Sequence, residues 1–103
     1  MPERVSAESE FSEPALRFHD AVTSRARLIV IKTIAKHPGI TVNQLNEALE
    51  LSQPAISLSL KHLRELGYIQ SQKSTEDGRV SHLFVNRSKL GTDFAHLFLE
   101  LLP

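Results

Sequence analysis

The chain has 103 residues, no cysteine, and twelve Lys/Arg balanced by twelve Asp/Glu. That length predicts one small domain around one modest core. The composition excludes disulfide scaffolds, thiolate metal centres and thiol redox sensing. No apolar run approaches the roughly 20 residues of a membrane-spanning helix, and the polar, acidic start MPERVSAESEFSE does not read as a secretory signal. The expected compartment is therefore the cytoplasm.

Residues 1–13 lack periodicity and predict a mobile acidic tail, with 14–103 as the folded domain. From Pro14, ALRFHDAV predicts a short helix to about residue 22, with Leu16, Phe18 and Val22 apolar. Ser24 can cap a second helix, RARLIVIKTIAKH, in which Leu28, Ile31, Ile34 and Ala35 follow helical spacing. Pro38-Gly39 ends it, and His37 beside them suits a helix C-terminus. Thr41 can cap TVNQLNEALE, whose apolar face is Val42, Leu45, Ala48 and Leu49. Ser52 can cap the next helix, with Pro54 in the first turn, where its missing N–H costs nothing. That helix runs to about Leu66 and stops at Gly67. Residues 68–72 have strand character, Asp77-Gly78 signals a hairpin turn, and 79–86 is the return strand. Ser88 can cap a last helix, KLGTDFAHLFLELL, with Leu90, Phe94, Leu97 and Leu101 on one stripe widened by Phe98 and Leu102. The fold class is mainly α with a small β-hairpin: about five helices and a two-stranded wing, a winged helix-turn-helix.

The balanced net charge hides an uneven distribution. Residues 1–13 hold four Glu against one Arg, whereas 52–89 hold six Lys/Arg against three acids. A local basic surface, not the whole-chain sum, is what meets phosphates. Within LSQPAISLSLKHLRELGYI (51–69), Ile56, Leu60 and Leu63 share a narrow arc at about 100° per residue. The opposite arc holds Pro54, Ala55, Leu58, Lys61, His62 and Glu65, with Gln53 and Ser57 beside it. Small and polar side chains at the start of a helix suit a major groove about 12 Å wide. A short helix, a tight connection around 50–52 and this helix form a helix-turn-helix, followed by a wing. Gln53 can pair bidentately with adenine, Ser57 can meet a base edge or a phosphate, and Ala55 and Leu58 can touch thymine methyls. Thr41, Lys61 and Arg79 suit phosphates, with Lys73 on the wing and Ser52 at the helix start. The plainer alternative is that Gln53 and Ser57 only cap and cover a surface.

These same residues resemble the arsenic-repressor (ArsR/SmtB) family of winged-helix transcription regulators, over about 15–102. The most specific stretch matches the pattern L-S-Q-P-x-[VI]-S-x-x-L-x-x-L-[RK]-x-x-G. TSRARLIVIKTI resembles the segment written D-P-T-R-L-x-I-L, and DGRVSHLFVN the return strand of the wing. MarR-type winged helices share this skeleton. The resemblance implies a cytoplasmic homodimer on an imperfect inverted repeat, repressing transcription with helix 52–66 in the major groove and wing 70–86 on the backbone or minor groove. It implies dimer contacts through the first and last helices, here Leu16, Leu90, Phe94, Leu97, Phe98 and Leu101. Completion of the monomer core is the other use for those side chains.

Many such relatives sense metals. The cysteine-based site is absent, since Thr41, Val42 and Asn43 stand there. A second type of site uses Asp and His on the last helix. Asp93, His96 and Glu100 lie at i, i+3 and i+7, but without the Asp-x-His start and without a second His. The reading adopted is a polar outer face, with no metal and no cofactor. The five histidines are scattered, and no phosphate loop or catalytic constellation is present, so no enzyme is expected. A winged helix serving as a protein-interaction module without specific DNA binding is the alternative function. The sequence names no operator, no effector and no regulated gene, and it leaves repressor and activator undivided.

Overall fold

The computed structural model describes residues 10–76 and 78–102. Most of the expected acidic tail, and Asp77 of the expected hairpin turn, lie outside the described residues. The elements in chain order are α1 (Glu13–Val22), α2 (Arg25–Lys36), β1 (Ile40–Thr41), α3 (Val42–Ala48), α4 (Gln53–Glu65), β2 (Ile69–Lys73), β3 (Ser81–Val85) and α5 (Arg87–Glu100).

Every helix starts on a side chain that accepts an otherwise orphaned backbone N–H. Ser12, Ser24, Thr41, Ser52 and Asn86 accept from Ala15, Arg27, Gln44, Ala55 and Lys89 in turn. At Thr41 the arrangement is reciprocal, because the Gln44 side chain accepts the Thr41 N–H at 2.9 Å. Two expected starts move. Helix α1 takes in Glu13, which the tail was expected to hold, because Ser12 caps it. Helix α5 begins two residues early, on Asn86 rather than Ser88, because the Asn86 N–H is already fixed to the Tyr68 carbonyl at 2.8 Å.

The end of α4 is closed by two backbone bonds. Gly67 N–H donates to the Arg64 carbonyl at 3.0 Å and Tyr68 N–H to that of Leu63 at 2.9 Å. This pairing requires a left-handed residue between them, and Gly67 supplies it at φ +83°. Gly67→Ala is therefore expected to cost about 1–2 kcal/mol, the penalty for a Cβ in that region. The new Cβ also meets the ammonium end of Lys89, which can swing aside. Urea midpoints at unchanged slope would measure the loss; an unshifted midpoint would contradict the strain argument.

The wing is part of a three-stranded antiparallel sheet in the order β1-β3-β2, not a two-stranded hairpin. Ile40 and Thr41 pair with Leu83 and His82. His82 Nδ1 and the Gly39 carbonyl lie 2.9 Å apart, a side-chain bond that reinforces this edge. A two-residue strand carries no periodicity to read. On the other side β2 pairs with β3 from Ile69↔Val85 to Lys73↔Ser81.

The core draws Val30, Ile31 and Ile34 from α2, Leu45 from α3, Ile56, Leu60 and Leu63 from α4, Tyr68 from the connection after α4, and Ile69 and Leu83 from the sheet. In α2 the buried stripe is thus shifted from the expected one: Val30 is fully buried and Leu28 is exposed. The run LIVI allows either stripe, and the approach of α4 selects one. Helix α5 packs chiefly on α1, and α1 in turn on α2.

Candidate nucleic-acid interface

Helix α3, the connection 49–52 and α4 form the helix-turn-helix, and β2 and β3 form the wing beside it. Helix α4 buries Ile56, Ser59, Leu60 and Leu63. The face away from the core exposes Ser52, Gln53, Pro54, Ser57, Leu58 and Lys61. Leu58 is 54% exposed, although it is apolar, so the monomer gives it no packing role. Ala55 is half-buried. The Ser52 hydroxyl oxygen accepts the Ala55 N–H at 3.2 Å, which leaves its hydrogen free to donate.

Thr41 and Arg79 line one shallow cleft of about 260 Å³ between the start of α3 and the turn end of the wing, together with Asn43, Arg64 and Ser81. Lys73 is exposed at the end of β2, opposite Ser81. Arg64 is the residue the sequence reading missed. It is exposed, lines the same cleft, and donates from Nη2 to Ser71 Oγ at 3.1 Å. The signal was available: Arg64 lies seven residues beyond Ser57, within about 20° around the helix. His62 moves the other way. It leaves the outward arc and is half-buried toward α2, where Arg27 Nη1 donates to its Nδ1 at 3.1 Å. Arg27 is itself fixed by donation to the Asp20 carbonyl at 3.0 and 2.7 Å.

Away from this face, α1 and α5 carry a second surface. Leu16, Phe94, Phe98 and Leu101 are exposed, with Leu99 and Leu102 beside them. Leu97 is half-buried, whereas Leu90 packs against the core. Phe18, Phe94 and Phe98 form a ladder with ring centroids 5.1 and 5.9 Å apart, inside the range of favourable aromatic contact.

Asp93 is not on an outer face. It is 3% exposed, and its carboxylate accepts three hydrogen bonds. Arg17 of α1 donates from Nε to Oδ2 at 3.0 Å and from Nη2 to Oδ1 at 3.1 Å. The Tyr68 hydroxyl donates to Oδ2 at 2.7 Å. Burial alone would push the Asp93 carboxyl up; the hydrogen bonds from Arg17 and Tyr68 outweigh it and hold the group below the usual carboxylate range. Burial, then the bond to Asp93, push the Tyr68 phenol up, so it stays protonated. Glu100 accepts from the Ser12 N–H at 2.8 Å and from its hydroxyl at 2.6 Å, and these bonds, the hydroxyl first, lower its carboxyl pKa. His96 Nδ1 lies 3.8 Å from Glu100 Oε2. The three weak metal-ligand candidates are thus divided, with Asp93 turned inward and Glu100 committed to the start of α1. Among the described residues no group of three or more His, Cys, Asp or Glu is placed to hold a metal ion. No helix among them is long and apolar enough to cross a membrane.

Solved structures share this architecture. An ArsR family transcriptional regulator superposes with a TM-score of 0.68 at 20% identity, over 88% of this chain and 89% of its own. An ArsR-like transcriptional regulator from Rhodococcus sp. RHA1 gives 0.72 at 19% identity, over 84% and 77%. At these identities the likeness is one of fold. FabT of Streptococcus pneumoniae, solved in complex with DNA, gives 0.56 at 25% identity, over 82% of this chain and 65% of its own. No curated protein matches the chain. The family model that matches is that of the MarR family, over residues 23–80. That segment begins just before α2 and ends at the foot of β3, so it holds the whole helix-turn-helix and the first strand of the wing, more than half of the chain. The ArsR resemblance stands at the level of fold, and the chain belongs to the MarR family of winged-helix transcription regulators.

Proposed function

We propose that the chain acts as a homodimeric, sequence-specific repressor, reading an inverted-repeat operator with α4 in the major groove and the wing on the backbone or minor groove. The observation that carries this reading is the outward face of α4. It presents Gln53, Ser57, Leu58 and Lys61 to solvent in a helix-turn-helix frame, and no core requirement accounts for them. In this reading Gln53 and Ser57 read base edges, and Ala55 and Leu58 meet thymine methyls. Ser52, Thr41, Lys61, Lys73 and Arg79 hold phosphates, with Arg64 added from the cleft beside Thr41. The exposed side chains of α1 and α5, Leu16, Phe94, Phe98 and Leu101 with half-buried Leu97, meet their own copies across a two-fold axis. Leu90 is left to the monomer core.

Fluorescence anisotropy against the chain's own upstream DNA and a scrambled duplex, at two salt concentrations, tests this directly. The native duplex is expected to bind tighter by about 10³ or more, the lower range for specific readers. Gln53→Ala should cost roughly tenfold to a hundredfold on the native duplex and little on the scrambled one. Lys61→Ala should weaken both alike and flatten the salt dependence by about one unit of slope. Equal, weak binding to both duplexes, strongly salt-dependent, would overturn the repressor reading.

A further inference from the structure

Tyr68 ties the C-terminal end of α4 to both α1 and α5. Tyr68 closes the last turn of α4 with its N–H, which donates to the Leu63 carbonyl at 2.9 Å. Its carbonyl accepts the N–H of Asn86, the cap of α5, at 2.8 Å. Its hydroxyl donates to Asp93, nearly two turns into α5, and the same carboxylate is clamped by two donors of Arg17 on α1. Tyr68 is fully buried, so no solvent competes for the phenol. Helix α5 otherwise packs chiefly on α1. A second tie between α1 and α4 runs through Arg27, which donates to the Asp20 carbonyl and to His62 Nδ1.

We propose that Arg17, Asp93 and Tyr68 form a positioning clamp that sets the angle of the recognition helix relative to the α1–α5 pair, and so selects the half-site spacing of the operator. This rests on the reading of α4 as the base-reading helix and of α1 and α5 as the dimer face. The magnitude follows from leverage. Helix α4 has 13 residues, which makes it about 20 Å long. The base-reading side chains, Gln53 above all, lie at the end far from Tyr68. A tilt of about 10° at the Tyr68 end displaces Gln53 by roughly 3 Å. That is nearly one base-pair step of about 3.4 Å. In a two-fold dimer the displacement occurs twice and changes the separation of the two reading heads. A clamp of three charge-assisted hydrogen bonds around a buried carboxylate is stiff and directional in a way that apolar packing is not.

Tyr68→Phe and Asp93→Asn test it, since both preserve volume. The chain has no native cysteine, so spin labels at Ser57→Cys on α4 and Thr92→Cys on α5 report one intramolecular distance in the full-length protein. Labelled chains are diluted into excess unlabelled protein to suppress distances between subunits. The parent should give one narrow distance distribution, and both clamp variants should broaden or shift it. Distributions identical to the parent in both variants would overturn the proposal whether or not the chain dimerises, a point sedimentation settles separately. On operator duplexes with spacers altered by one base pair either way, Tyr68→Phe should lose roughly two- to thirtyfold of the parent's preference for the natural spacing. Simple destabilisation lowers affinity for every spacer alike and leaves that ratio unmoved. An unchanged ratio would overturn the spacing claim even where the distances broaden.

Discussion

Arg17→Ala is expected to destabilise the fold by about 2–4 kcal/mol, a large share of the stability of a domain this size. The Asp93 side chain is 4% exposed and that of Arg17 is 32% exposed. Removing Arg17 therefore leaves an almost fully buried carboxylate with one neutral donor, Tyr68, in place of three donors. The cost arises chiefly from that stranded charge and not from the loss of an exposed ion pair, which would be worth at most about 1 kcal/mol. Asp93→Asn should cost less, because its amide oxygen still accepts from Tyr68 and no charge is buried. The double variant should be more stable than the sum of the two single losses implies, since the charge stranded by the first change is absent. Urea unfolding of the four proteins measures the cycle. A loss below about 0.5 kcal/mol for Arg17→Ala, the level of an ordinary surface change, would mean that the buried carboxylate is not held as described.

The same site gives a pH signature with a definite sign. The folded pKa of Asp93 is depressed, by the Arg17 and Tyr68 bonds acting against burial. Its contribution is thus present above the unfolded carboxyl value of about 3.9, and is lost as pH falls through the folded value. In Arg17→Ala the burial effect loses its main opponent and the Asp93 carboxyl moves up. The stability gap between parent and Arg17→Ala should therefore narrow as acidification protonates Asp93 in the variant. Tyr68 sets the opposite limb. Its raised phenol pKa contributes below the unfolded value of about 10 and is lost as pH rises beyond it.

What the sequence made legible was whatever local chemistry decides. Ser24, Thr41 and Ser52 cap helices because a hydroxyl followed by a helical pattern satisfies an orphan N–H within three residues. Gly67 ends α4 because only glycine adopts its φ cheaply. The candidate reading face was legible for the same reason: a 3.6-residue period separates Ile56, Leu60 and Leu63 from Ser57, Leu58 and Lys61 without any tertiary information. Most of the misses turn on partners distant in sequence. Asp93 at i, i+3, i+7 with His96 and Glu100 looks like a polar stripe, and its burial is decided by Arg17, 76 residues away. His62 is drawn inward by Arg27, 35 residues away. Asn86 and Ser88 are both good caps, and the bond from the Asn86 N–H to the Tyr68 carbonyl selects between them. Strand β1 is too short to show a period, and exists because Leu83 and His82 lie beside it. One chemical feature was visible and unused: a tyrosine directly after the glycine stop of α4 places a phenol at the joint between α4 and the wing.

Phe98→Glu is expected to lower operator affinity by about 10²–10⁴, the gain that linking two binding modules confers, while leaving each monomer folded. Phe98 is 51% exposed, so the monomer core does not depend on it. Its recorded ring contact is with Phe94, on the same helix face. In the proposed dimer Phe98 meets the same patch of its copy across the two-fold axis, so one substitution would introduce two like charges into an apolar seam. The dimer should dissociate at concentrations where the parent remains paired, which sedimentation equilibrium reads directly. Circular dichroism should show unchanged helix content. Binding to a single half-site should persist, because Gln53, Ser57 and Lys61 lie on another helix and keep their frame. A dimer undiminished by Phe98→Glu would place the two-fold contact elsewhere. A monomeric variant that kept full operator affinity would show that α4 reads its site without a partner, and the spacing of two half-sites would then carry no information for this protein.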